Sequence, residues 1–252
     1  MSSTLLDGRA AIVTGSARNI GRAIAIDLAA HGAKVVVNAR TSQKEAEAVA
    51  DEIRGAGGTA IVVIADVTNP DAARRLTATA VEQFGRLDIL VNNASVRREC
   101  DFANLGYDEW REIMAATLDS AYLCCHAALP HLVASGQGAI VNIGGLSAHT
   151  GSARRAHVIT AKAGLVGLTR ALAHDLAPQQ ITVNCVSPGM IDTVREEGRA
   201  HAEPEHHRRN APLGGRRGTP QEVAALVRFL CGPEARYVTG QTIHANGGIF
   251  LG

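Results

Sequence analysis

The sequence predicts an α/β fold, a doubly wound parallel sheet with helices on both faces, in a single domain spanning residues 1–252. Three observations predict it. Short apolar runs rich in Val and Ile alternate with stretches of helical spacing along the whole chain, the rhythm of a sheet buried on both sides. A glycine-bounded turn joins the first such run to the first helix. No Pro/Ser-rich stretch, charge run or internal repeat marks a boundary in the 252 residues, a length that suits one large α/β unit.

The elements follow in order. The first strand reads Arg9-Ala10-Ala11-Ile12-Val13-Thr14, and a helix from about Ile20 to His31 is stopped by Gly32. The second strand is Lys34–Asn38, its crossover helix runs from about Ser42 to Gly55, and Ala60–Ile64 is the third strand. Asn69-Pro70 opens the next helix, since proline is suited to the first helical position, and Phe84-Gly85 closes it. Leu87–Val91 is strand four, one long helix covers about Asp108 to Leu132, and Ala139–Ile143 is strand five. A helix from Arg155 to Leu176, a strand Thr182–Val186, a helix from Pro220 to Leu230 and a short strand Thr242–His244 complete the chain. Right-handed crossovers between these strands give the doubly wound topology.

Composition narrows the function. Hydrophobic residues are 46% and charged residues 19%, as in an ordinary folded protein. A net charge of +1 gives no global field toward nucleic acid or a membrane surface. Met1 to Asp7 lacks a basic segment followed by an apolar run, and no apolar run approaches the roughly 20 residues that span a bilayer. The five cysteines, Cys100, Cys124, Cys125, Cys185 and Cys231, show neither CxxC nor zinc-ligand spacing, so no metal is expected. Cys124 and Cys125 read as core thiols, and a reducing, cytoplasmic setting is the default expectation.

The turn Thr14-Gly15-Ser16-Ala17-Arg18-Asn19-Ile20-Gly21 sits where the first strand meets its helix. A phosphate approaches backbone closely only where bulk is missing, and a helix N-terminus offers free amides and a positive dipole. Gly15 suits the tight turn and Gly21 the packing of helix on sheet, so a dinucleotide is the expected ligand. Charge selects which one. A carboxylate at the end of strand two receives the adenosine ribose hydroxyls in NAD-binding folds. Here that end reads Val37-Asn38-Ala39-Arg40, and Arg18 and Arg40 form a fork suited to a 2′-phosphate, which points to NADP(H).

These residues, with others in order along the chain, resemble the short-chain dehydrogenase/reductase family, and within it the 3-oxoacyl-acyl-carrier-protein reductase-like members. The turn Thr14 to Gly21 resembles the family's cofactor loop, with Asn19 in place of its middle glycine; asparagine tolerates left-handed backbone. Asp66-Val67 matches the pair that holds the adenine. Asn92-Asn93-Ala94-Ser95 matches the family's Asn-Asn-Ala-Gly, with Ser95 for glycine. Pro188-Gly189-Met190-Ile191-Asp192-Thr193 matches the segment over the nicotinamide, and the likeness runs on to Asn246-Gly247-Gly248. It implies a Rossmann fold, a nicotinamide cofactor and a homo-oligomer, a tetramer or dimer. The Ala- and Leu-rich helix faces such as Ala163 to Leu176 fit pairing with a second subunit. The turn, the charge at the end of strand two and the resemblance together assign cofactor contacts to Gly15, Arg18, Asn19, Ile20, Arg40, Asp66, Val67, Asn93, Ala94, Lys162, Pro188, Gly189, Ile191 and Thr193.

The resemblance also implies a catalytic Asn, Ser, Tyr and Lys, and here the sequence departs from it. Lys162 matches the lysine, but the tyrosine position is Val158, the serine position Gly145 and the asparagine position Thr117. The tyrosines Tyr107, Tyr122 and Tyr237 all lie off this helix, so no local shift of alignment restores the pair. A positioned acid contributes about 10²–10⁴-fold and an oxyanion donor about 10²–10³-fold, so ketone reduction by the family's route should be severely impaired. Val158 and Gly145 should leave a wider, more apolar hollow.

Three readings follow. Another group gives the proton: His149 or Ser147 on the loop after strand five, His157, whose side chain is expected to face outward, or a water. Alternatively the reaction needs no tyrosine, as in reduction of an activated double bond or a non-redox carbon–carbon or hydrolytic step. In the third, the chain binds cofactor without turnover. Residues 194–218, crowded with Arg, His and Glu, are expected to form a polar lid over a small-molecule substrate.

Overall fold

The computed structural model describes residues 5–193 and 211–252. Seven strands make one parallel sheet in the order β3-β2-β1-β4-β5-β6-β7. They are β1 (Ala10–Val13), β2 (Lys34–Ala39), β3 (Thr59–Ile64), β4 (Ile89–Asn92), β5 (Ala139–Ile143), β6 (Thr182–Pro188) and β7 (Thr242–Ala245). The helices are α1 (Asn19–Ala30), α2 (Gln43–Gly55), α3 (Pro70–Phe84), α4 (Tyr107–Met114), α5 (Ser120–Ala134), α6 (Ser147–Thr150), α7 (Ala156–Asp175) and α8 (Pro220–Cys231). This is the expected doubly wound, Rossmann-like single domain.

Side-chain alternation explains the layering. Ala11 and Val13 of β1 point into a core with Ile24 and Leu28 of α1, Val49 of α2 and Val227 of α8. Ala10 and Ile12 point the other way, toward Leu76 of α3, Leu132 of α5 and Ala173 of α7. All four β1 residues are therefore buried, as the continuous apolar run required. Sheet order reverses between β1 and β4, the switch point where the carboxyl ends of the strands diverge and leave a crevice.

Local signals act as read. Pro70 occupies the first turn of α3, Asn69 Oδ1 accepts from Ala72 N at 3.0 Å, and Gly85 ends the helix at φ 79°. Gly32 follows α1 at φ 98°. Cys124 and Cys125 are buried free thiols. Three elements differ from expectation. Strand four starts later and reaches Asn92, which is held inside by Asn142. The single helix over 108–132 is instead α4 and α5 joined by a π-helical turn, Ala115–Asp119. The short α6 interrupts the loop after β5. Of the expected lid 194–218, residues 194–210 lie outside the described residues; Gly218 bridges to Ile191, and Arg216 pairs with Glu222 at 2.6 Å.

Candidate active site

The crevice is built from the β1 turn outward. Gly15 (φ 61°) and Asn19 (φ 53°) both take left-handed backbone, so Asn19 does the conformational work of the glycine it replaces. A Cβ at Gly21 would lie 2.5 Å from both the Gly15 carbonyl oxygen and Asn93 Nδ2, so only glycine fits. Asn93 Nδ2 donates to the Thr14 and Gly15 carbonyls, each at 2.9 Å. Thr14 Oγ1 accepts from Asn93 N and Ala94 N at 3.0 Å. The structure thus brings Gly15, Asn93 and Ala94 together across the switch point. Arg18 is the N-cap of α1 without a side-chain cap, and the first turn holds no acidic residue, which leaves the amide end suited to an anion. That geometry fits a dinucleotide phosphate.

The end of β2 carries a residue whose role the sequence reading missed. Asn38 is buried; its Oδ1 accepts from Gly15 N at 3.2 Å and its Nδ2 donates to the Val63 and Ala65 carbonyls at 3.1 Å. It latches the turn to β3. Arg40, two residues on, is exposed at the rim. Asp66 Oδ1 accepts from Thr68 N and Oγ1, a local turn, while Ile20 and Val67 are core residues whose backbone alone can face a ligand. On the other side Leu146 N donates to the Pro188 carbonyl at 3.0 Å and Gly189 N to that of Ala245 at 2.9 Å, tying the β5, β6 and β7 ends together. Ile191 packs on the core, and Thr193 ends the described segment.

Lys162 of α7 is buried and its Nζ donates to the Ile143 carbonyl at 2.5 Å, at the end of β5. Burial above all pushes its pKa down to about 7, Arg97 and Arg155 add positive repulsion, and the Cys185 thiol opposes them. Val158 is 3% exposed and packs against Ile113, Ala161, Val96 and Met114. No hollow opens at Val158, and at Gly145 an added Cβ would meet nothing within 4 Å. Thr117 sits in the π turn with its buried Oγ1 unpartnered among the described residues.

His149 is seated toward β7. Its ring meets His244 edge-on at 4.5 Å and Phe250 at 5.4 Å. Burial, then the charges of His244 and Arg170, lower its pKa. His157 does not face outward: it is fully buried with Nε2 3.5 Å from Glu109 Oε1, because α4 covers that side of α7. Arg97 and Arg155, whose charges act on Lys162, were not singled out by the sequence.

A parallel, doubly wound sheet with a glycine turn and an uncapped helix end at its switch point, and a buried lysine at the end of β5, defines a Rossmann-like α/β protein. Comparison with known proteins narrows this. Residues 15–249 match the family described as enoyl-(acyl carrier protein) reductase. A 3-oxoacyl-[acyl-carrier-protein] reductase of Synechocystis is 39% identical over 249 residues, 98% of this chain and 99% of that one. One from Staphylococcus aureus is 36% identical, covering 96% and 98%. A Sinorhizobium meliloti dehydrogenase/reductase superposes with a TM-score of 0.91 at 35% identity, covering 99% and 98%. A doubly substituted short-chain dehydrogenase/reductase from Serratia marcescens gives 0.88 at 36% identity, covering 97% and 98%. The chain belongs to the short-chain dehydrogenase/reductase family of oxidoreductases. Among the described residues no helix is long and apolar enough to cross a membrane.

Proposed function

We propose that the chain is an NADP(H)-dependent reductase of a small-molecule carbonyl or activated double bond, working without the family's tyrosine. The observation that carries the cofactor reading is the phosphate cradle: bulk-free backbone at Gly15 and Gly21 beside an α1 end with no acidic first turn. Arg18 and Arg40 stand at its rim where an NAD site carries a carboxylate, which supports a 2′-phosphate. Asp66-Val67, Asn93-Ala94, and Pro188-Gly189 with Ile191 and Thr193 complete the proposed cofactor contacts along the strand ends. The bound cofactor supplies the hydride.

The chain's own part is to orient and to move a proton. Lys162, with its pKa near 7, exists in both protonation states at neutral pH and can hold a ribose hydroxyl or give a proton to a substrate oxygen. His149 is the other candidate donor, but its ring is engaged by His244 and Phe250, so Lys162 is favoured. Gly145 and Val158 contribute no hydroxyl, and Val158 is sealed in an apolar cluster, which favours cofactor binding without ketone turnover as the second reading. The 3-oxoacyl-carrier relatives make a carbonyl compound the first substrate class to test. A groove of about 680 Å³ along α5 and α7, lined by Leu118, Tyr122, Gly167 and Leu168, supports association with a second copy.

Titration of NADPH and NADH, followed by nicotinamide fluorescence, tests the reading. NADPH is expected to bind at least about tenfold tighter than NADH, and Arg40→Ala to erase that preference. Oxidation of NADPH with ketones, enones or imines separates reduction from binding alone. Equal affinity for the two cofactors, or none, overturns the proposal.

A further inference from the structure

Three rings from separate parts of the chain meet beside the loop that follows β5. His149 belongs to α6, His244 to β7 and Phe250 to the segment after it. The two imidazole centroids are 4.5 Å apart with the rings near perpendicular, and Phe250 lies 5.4 Å from His149 and 4.8 Å from His244. Each imidazole buries one nitrogen: His149 Nε2 and His244 Nδ1 have no hydrogen-bond partner among the described residues. A neutral imidazole can keep one nitrogen as a bare lone pair, whereas an imidazolium carries N–H on both and needs an acceptor at each. The cluster therefore suits two uncharged rings and penalises a charged one. The surrounding elements add to that preference. Burial first, then the charges of His244 and of Arg170 on α7, work against a proton on His149, and burial does the same for His244. From β6 the neutral Ser187 stands in register with His244. Across a cavity of about 200 Å³ that His244 lines, Glu222 is already held by Arg216 at 2.6 Å. On the tail itself Asn246 Nδ2 donates to the Phe250 carbonyl at 3.0 Å.

We propose that His149, His244 and Phe250 form a pH-operated latch, which holds the segment 246–250 against α6 while both imidazoles are neutral and opens when they are protonated. α6 begins two residues after Gly145, and Leu146 N donates to the Pro188 carbonyl, so opening frees the loop that borders the candidate site. The latch does not depend on which reaction the chain performs. An opened ring binds its proton at the ordinary imidazole value near 6.5, so one unit below that value each freed ring favours opening about tenfold. Closure is therefore complete above the ordinary value and is lost as the pH falls through it.

The test is amide hydrogen exchange of the full chain at about pH 7.5 and about pH 5.5, each scaled to the intrinsic rate at that pH. The amides of His149 to Gly151 and of Gly248 and Ile249 are hydrogen-bonded within α6 and the tail turn. Their protection should fall at least about tenfold on acidification, while that of Ile12 in the middle of the sheet holds. His149→Phe combined with His244→Phe keeps the rings, removes the titration and should abolish the change. Phe250→Ala should give the open pattern at both pH values. Unchanged protection in the wild type, a fall that includes Ile12, or the same acid fall in the double variant overturns the proposal. Melting curves check folding. If the double variant does not fold, Phe250→Ala decides, and wild-type protection in that variant at the higher pH overturns the proposal.

Discussion

Lys162 offers a direct test of how the site is charged. An unfolded lysine keeps its proton to about 10.5, whereas in the fold burial brings the value to about 7. Between those values the unfolded chain binds the extra proton, so stability rises with pH across that window and is flat well below it. One unit is worth about 1.4 kcal/mol, and integrating from about pH 7 to about pH 9 gives a gain of about 2 kcal/mol from this one residue. Lys162→Met removes the titration while keeping an unbranched apolar stem; it also leaves the Ile143 carbonyl unpaired, an offset that does not vary with pH. Buried thiols act in the opposite sense. Cys185, raised to about 11, rises further once Lys162 is removed, but in both folded proteins it keeps its proton through about pH 9, so it drops out of the difference over this window. Urea unfolding of wild type and variant at several pH values reads that difference directly. The variant should exceed the wild type in relative stability at pH 7 and lose that advantage by about 2 kcal/mol at pH 9. Parallel pH curves for the two proteins would refute the buried, carboxylate-free lysine on which the site description rests.

Further substitutions examine other parts. Gly21→Ala drives a Cβ into Gly15 O and Asn93 Nδ2, and should cost about 1–3 kcal/mol in urea unfolding as well as NADPH affinity. Gly145→Ser faces open space and should leave the melting temperature within about 2 °C, whereas Val158→Tyr overpacks the Ile113 cluster and should lower stability by about 1–3 kcal/mol. If the double variant folds, it should gain NADPH-dependent ketone reduction; a folded, cofactor-bound double variant with none would show that the residue mapping is wrong. Gly167→Glu places a charge in the α5–α7 groove where a Cβ meets nothing in the single chain, so it should leave unfolding unchanged and shift sedimentation toward the monomer.

Much of the fold was legible because its signals are local. The Val/Ile runs of β1, β2 and β5, Pro70 at the start of α3 and the positive-φ Gly85 at its end follow from residues a few positions apart. What the sequence hid depends on partners distant in the chain. The 100° step from Val158 turned His157 outward on an isolated helix, yet α4 lies over that face and both residues are buried. The π turn over Ala115–Asp119 leaves no mark in apolar spacing, and Asn38 looked informative only for the carboxylate it lacks until its bonds to Gly15, Val63 and Ala65 were seen. The tight turn at Gly15 was readable from glycine spacing; the charges of Arg97 and Arg155 on Lys162 were not, because they come from segments distant in the chain.

Asn38 and Asn93 have a thermodynamic consequence. Between them they fasten the β1 turn to β2, β3 and the β4 loop through side-chain amides, so the crevice walls are fixed whether or not anything lies between them. A ligand entering there has little backbone left to order, and its affinity is not diminished by the entropy of closing a loose loop. On the proposed reading, a dinucleotide docks here as a rigid body onto a finished surface.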